Sequence, residues 1–200
     1  MFESECQRLH EIVRAGADRT NRAQVPNGAD GIYFYFEQDE VWGHGTEEKR
    51  LVRVGSHTAP GNLMTRSWMH RTSNCGASAF VRHAGQALRI TAGGPAVHAE
   101  ACDCKLRFQA WFAAEIGADK ICVIRTDWNA VEADCLKAER IAIGILSGCK
   151  KCAPSENWLG RRAQNPVIAN GQLWLKDHVG TQPNRSEMDW FFGVLAAGML

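Results

Sequence analysis

A chain of 200 residues, 45% hydrophobic and 22% charged, has the make-up of one globular domain with a full core, which sets aside disordered, collagen-like and low-complexity classes. Its net charge of +1 excludes a global basic field, so any nucleic-acid contact must be a local patch. No apolar run reaches the length of about 18 residues that a membrane span needs. The mixed stretch from Met1 to Ala15 does not read as a signal peptide, so a reducing cytoplasm and free thiols are expected for the eight cysteines.

In chain order, residues 2–15 read as an amphipathic helix with Phe2, Leu9, Ile12 and Val13 toward the body. A loop marked by Gly16, Pro26, Asn27 and Gly28 follows. Residues 31–37 alternate as a strand, with Ile32, Phe34 and Phe36 on one face and Tyr33, Tyr35 and Glu37 on the other. Residues 38–50 read as a long polar hairpin loop, either a solvated insertion or a flap that touches substrate. The strand 51–57 echoes the first, with Val52 and Val54 on one face and Arg53, Gly55 and His57 on the other. Paired as a hairpin, the two strands give one apolar face and one face of Tyr, Arg and His, where chemistry would gather.

Beyond a turn at Pro60 and Gly61, Asn62 can cap a helix through about Arg71, which sets Arg66 and His70 four residues apart on one face. Residues 76–90 read as another helix, and Thr91 to Pro95 breaks it. A helical segment over 97–116 should bury Leu106, Trp111 and Phe112 and expose Lys105 and Arg107. Lys120 to Thr126 reads as a third strand. Asp127 or Asn129 then caps a helix over about 130–147, in which Glu132 and Glu139 share a face. Glu139 among apolar neighbours is either a charge at the helix edge or a metal ligand, and position alone favours the edge charge. Asn157 reads as a turn-capping amide. Gly171 to Lys176 reads as an edge strand or an extension, and Trp190 to Leu200 packs on the body or on a second copy. A basic patch can be drawn from Arg66, Arg71, Arg82, Arg89, Lys105, Arg107, Arg161 and Arg162, although each alone is a plain surface charge.

Cys6, Cys75, Cys122 and Cys135 are scattered and read as small core residues. Cys102 and Cys104, with Cys149 and Cys152, form two pairs that could hand four thiolates to zinc, with His98 as a further ligand. Their spacing is not that of a common zinc finger, and free thiols are the plainer reading.

Gly31-Ile32-Tyr33 opening a strand, followed by Val54-Gly55 in its hairpin partner, resembles the GIY-YIG nuclease domain. The form Arg53-Val54-Gly55-Ser56-His57 is similar to that of a bacterial branch. Arg53 stands where the family usually has tyrosine, so the second tyrosine's role is unfilled or reassigned. The resemblance runs over about residues 28–160 of a single domain spanning 1–200. It implies an α+β fold: a small antiparallel three-stranded sheet flanked by helices, with a helical insertion and a C-terminal extension over about 163–200. It also implies a catalytic arginine at Arg66, a histidine one turn later at His70 as in some restriction enzymes, a single metal-binding glutamate at Glu139 and a site asparagine at Asn157.

Hydrolysis of a phosphodiester needs an activated water, stabilised charge on the phosphate and a neutralised leaving oxygen. In this scheme Glu139 would hold Mg²⁺ or Mn²⁺, and the Arg66 guanidinium would pair with the phosphate. Tyr33 would be the general base. A phenol titrates near 10, so Arg53 or the metal would have to lower it, or His57 or His70 would take the proton instead. Asn157 would hold a phosphate or orient Tyr33. The expected function is thus a metal-dependent endonuclease acting on DNA. The alternative is an inactive nucleic-acid-binding or interaction module on the same fold, which zinc could stabilise. Cutting both strands with one site per chain would call for a homodimer.

Overall fold

The computed structural model describes residues 2–17, 31–44, 48–56, 63, 70, 78–93, 104–116, 121–125 and 131–198. The period-two segments form the sheet: β1 (Gly31–Val41), β2 (Lys49–Gly55) and β3 (Ile121–Arg125), in the order β2-β1-β3. Both pairings are antiparallel, with Tyr33 opposite Gly55 on one side and opposite Val123 on the other. The helices among the described residues are α1 (Glu3–Ala17), α2 (Ala79–Thr91), α3 (Cys104–Trp111), α4 (Val131–Gly148), α5 (Pro166–Ala169) and α6 (Arg185–Gly198). A π-helical turn, Phe112–Ile116, continues α3, and 3-10 turns span Lys150–Cys152 and Leu159–Arg162.

A bulge corrects the expected alternation in β2. Tyr35 faces Arg53, but Phe36 faces Leu51, so Val52 has no opposite number. Leu51 and Val54 therefore share the face of Ile32, Phe34 and Phe36, whereas Val52 turns to the side of Tyr33 and Tyr35. The face that carries Tyr33, Tyr35 and Arg53 is covered as well as the apolar one. The apolar face carries Cys6, Leu9 and Val13 of α1, Ile141 to Leu146 of α4, and Phe191, Phe192 and Leu195 of α6. The other packs Tyr33, Tyr35 and Val52 against Phe80 and Ala84 of α2, Phe108, Phe112, Trp158 and Trp174. Tyr33 and Tyr35 are buried as fully as Phe34.

The described part of the segment between the strands, 38–44 and 48–50, is not a purely solvated insertion. β1 runs on to Val41, Glu40 and Trp42 are buried, and the loop folds back on the body. Glu40 accepts from Nε and Nη2 of the buried Arg50 at 3.1 and 2.8 Å, and from the Ser155 hydroxyl at 2.6 Å. His10 links α1 to the hairpin. Its Nδ1–H donates to the Cys6 carbonyl at 2.9 Å, and Nε2 accepts from Leu51 N–H at 3.2 Å. Burial lowers its titration to about 3, so the ring is neutral.

The stretch after Asn170 is an extension and not a strand. Trp174 N–H donates to the Val52 carbonyl at 2.8 Å, covering the outer edge of β2. In α3, Leu106 is exposed and not buried as expected, because Phe108 and Phe112, four apart, set the inward face. Trp111 is half-buried. The C-terminal aromatics Phe191 and Phe192 pack on the body. The expected turn at Pro60 and Gly61, the caps Asn62, Asp127 and Asn129, and Cys75 and His98 lie outside the described residues.

Candidate active site

The end of the β1–β2 hairpin gathers the polar groups. Gly55 lies opposite Tyr33, and the phenol crosses directly over it: a β-carbon at residue 55 would sit 2.2 Å from both Cζ and the hydroxyl of Tyr33. Glycine at this position therefore makes room for the ring. The hydroxyl oxygen of Tyr33 is 2.6 Å from Nε2 of His70. The other ring nitrogen of His70, Nδ1, is 2.9 Å from the hydroxyl of Ser78. Ser78 is the N-cap of α2, and its oxygen also accepts from Val81 N–H at 3.3 Å. His70 is itself buried, with its ring edge-on to Phe80 at 5.6 Å and to Tyr35 at 6.2 Å. A chain of three side chains, Tyr33, His70 and Ser78, thus links the sheet to the start of α2.

Immediately after Gly55, the Ser56 hydroxyl donates to Oε2 of Glu139. This bond ties α4 to the same end of the hairpin. Glu139 is half-buried, and its other carboxylate oxygen accepts no hydrogen bond among the described residues. A lone, partly exposed carboxylate with an open oxygen is a donor set that fits a hard divalent cation such as Mg²⁺, which completes its shell with water and phosphate oxygens. Ser56 was not singled out in the sequence; the signal available was its position next to the glycine that faces Tyr33.

Among the described residues, no hydrogen bond joins Arg53 to the Tyr33 hydroxyl. Arg53 is buried opposite Tyr35, donates from Nη1 to the Trp174 carbonyl at 2.7 Å and lies over the Phe80 ring at 4.6 Å. The position of the family's usual tyrosine is therefore spent on holding the C-terminal segment. Behind it, both indole N–H groups of Trp158 and Trp174 donate to Oε2 of Glu37, each at 3.1 Å. Burial pushes the Glu37 carboxyl up to about 7 against these two donors.

Asn157 is exposed in the turn before Trp158, and among the described residues no hydrogen bond joins it to Tyr33, His70 or Glu139. His57, Arg66 and Arg71 lie outside the described residues. Of the basic residues, Arg107, Arg161 and Arg162 are exposed, and Arg82 and Arg89 are half-buried. Arg161 donates to the carbonyls of Ser155 and Pro154 at 2.7 and 2.9 Å.

A family model described as a GIY-YIG domain matches residues 6–197. The chain belongs to the GIY-YIG nuclease superfamily. No curated protein and no solved structure gives a significant match. The match extends well past the 28–160 core marked by the GIY-YIG motifs, to α1 on one side and α6 on the other.

The cysteine pairs part company. Cys102 and the Cys104 side chain lie outside the described residues, while Cys149 and Cys152 meet Cys6 and His44. Cys6 is thus no isolated core residue, and Cys135 is buried as expected. The sulfurs of Cys6 and Cys152 are 3.0 Å apart, and His44 Nε2 is 3.2 Å from the Cys149 sulfur. Hydrogen bonds from Cys152 and then Cys6 hold the Cys149 thiol well below the usual range.

Proposed function

We propose that this GIY-YIG protein is a metal-dependent endonuclease that hydrolyses DNA phosphodiester bonds. The observation that carries the reading is the pairing of the Tyr33 hydroxyl with His70 Nε2 at 2.6 Å, at the hairpin end where Ser56 also holds Glu139. A phenol is a weak base until it loses its proton, and an imidazole is the side chain best suited to take that proton near neutrality. With Nδ1–H donating to Ser78, His70 keeps Nε2 as the acceptor for the Tyr33 proton. Tyr33 then orients and deprotonates the attacking water.

Glu139 would hold the divalent cation, with Ser56 fixing the carboxylate's rotamer. That cation supplies charge stabilisation to the phosphate and the leaving oxygen. Arg66, four residues before His70, would pair with the scissile phosphate through its guanidinium fork. Asn157, exposed next to Trp158, would contact the phosphate backbone away from the reacting atoms. His57, two residues after Gly55, is the reserve proton acceptor.

The test uses supercoiled plasmid and a single-stranded oligonucleotide, each with Mg²⁺, Mn²⁺ or EDTA. Wild type should cut only with metal, and Glu139→Gln should lose cleavage while keeping its unfolding midpoint. A fully active Glu139→Gln protein would overturn the assignment. Binding of DNA with steep salt dependence and no cutting under any condition would favour the inactive-module reading.

A further inference from the structure

We propose that Cys6, His44, Cys149 and Cys152 form a structural zinc site that clasps the N-terminal helix, the hairpin loop and the end of α4 together. The four donor atoms all lie within 4.8 Å of one another. A tetrahedral zinc with Zn–S bonds of about 2.3 Å sets its ligand atoms about 3.8 Å apart, so the cluster already has the size of the coordination sphere. Three thiolates and one imidazole are a closed structural set, with no position left for water or substrate. The sulfur donors select a borderline or soft cation and disfavour Mg²⁺, so the site does not compete for the cation at Glu139.

The ligands come from parts of the fold far apart in sequence. Cys6 is in the first turns of α1, His44 follows β1, and Cys149 and Cys152 bracket the 3-10 turn after α4. The three thiols are fully or almost fully buried, and His44 is half-buried at the rim. The neighbourhood is built for close approach. A β-carbon at Gly43 would come 1.9 Å from the Lys151 carbonyl, so a glycine beside His44 lets the loop press on the Cys149–Cys152 turn. The ring of Trp42 lies 5.0 Å from that of His44 and 4.7 Å from that of His10, walling the site on the hairpin side. Binding of Zn²⁺ displaces the thiol protons to solvent.

A disulfide between Cys6 and Cys152 is the rival reading of their 3.0 Å contact. It leaves Cys149 and His44 converging on the same point without a role. The zinc site stands apart from the nuclease reading, because metal content and cleavage are scored separately.

The full chain, purified without added metal, is assayed for zinc by mass spectrometry of the digested protein, and its thiols are counted on the intact chain. About one zinc per chain is expected, with all thiols reduced. A Cys149→Ser/Cys152→Ser double variant should lose the zinc, and Cys104→Ser should keep it. His44→Ala should weaken zinc retention, and His44→Cys should restore it. A chelator should lower the unfolding midpoint by several degrees, with recovery on Zn²⁺ and none on Mg²⁺. A folded wild type that takes up no zinc from excess would overturn the proposal. So would a Cys6–Cys152 disulfide in the freshly purified chain, or full zinc in the double variant. If the double variant does not fold, the wild-type zinc content and the His44 pair decide alone.

Discussion

The ring of Tyr33 lies over Gly55 with no space between them for one more carbon. A β-carbon there would meet the far end of the ring at 2.2 Å, and that end carries the hydroxyl that pairs with His70. Gly55→Ala should push the phenol off His70 while most of the sheet survives. A misplacement of about 1 Å can cost about 100-fold in rate, against an overpacking cost of about 1–3 kcal/mol in stability. Cleavage rates and thermal midpoints measured on the same preparation check this, and an alanine variant with wild-type cleavage would disprove it.

The Tyr33–His70 contact makes a kinetic prediction. Tyr33→Phe and His70→Gln should each lower cleavage by about 10²- to 10⁴-fold, the range for loss of a general base. Only His70→Gln should move the pH–rate profile, toward higher pH, because Tyr33 must then lose its proton without help. An unshifted profile in His70→Gln would remove the histidine from the proton path.

Glu37 predicts a pH dependence of stability. Its carboxyl is raised by burial from the ordinary 4.5 to about 7. Between those values the folded state holds a proton that the unfolded chain has released. The stability this group contributes is therefore complete below about pH 4.5 and is lost as pH rises through 7. Glu37→Gln keeps an acceptor for the two indoles and cannot ionise. The stability advantage of wild type over this variant should shrink between pH 5 and pH 8, and chemical denaturation at several pH values would reveal it.

Arg53 holds the chain's last third to the sheet. Its Nη1–H bond to the Trp174 carbonyl and its position over Phe80 should be worth about 3 kcal/mol together, from a charged hydrogen bond and a buried cation–π contact. Arg53→Ala should lose about that much stability by denaturant titration. Arg53→Tyr, which restores the family's usual residue, should be destabilised too. An unaffected Arg53→Tyr variant would show that the guanidinium is not needed there.

The hairpin was legible because aromatic and β-branched residues at period two leave one reading for 31–36, and the GIY-YIG resemblance ordered the rest. The Tyr33 and His70 pair was visible as two members of one motif, but not as partners. The bulge at Val52 was not legible, since an extra residue leaves local alternation intact on either side of it. The burial of the tyrosine face was hidden because its cover comes from Phe80, Phe108, Trp158 and Trp174, distant in sequence from Tyr33. The cysteine cluster was hidden for the same reason. Cys6 and Cys152 are 146 positions apart and His44 and Cys149 are 105 apart, so only the Cys149–Cys152 pair left a local trace.

Trp174 bonds the outer edge of β2, and Phe191, Phe192 and Leu195 fill the opposite core. A minimal fragment trimmed to the 28–160 core that carries the GIY-YIG motifs would thus open a strand edge and drain both hydrophobic layers at once. Such a fragment should aggregate before it can be assayed, so the unit to clone is the length from α1 through α6.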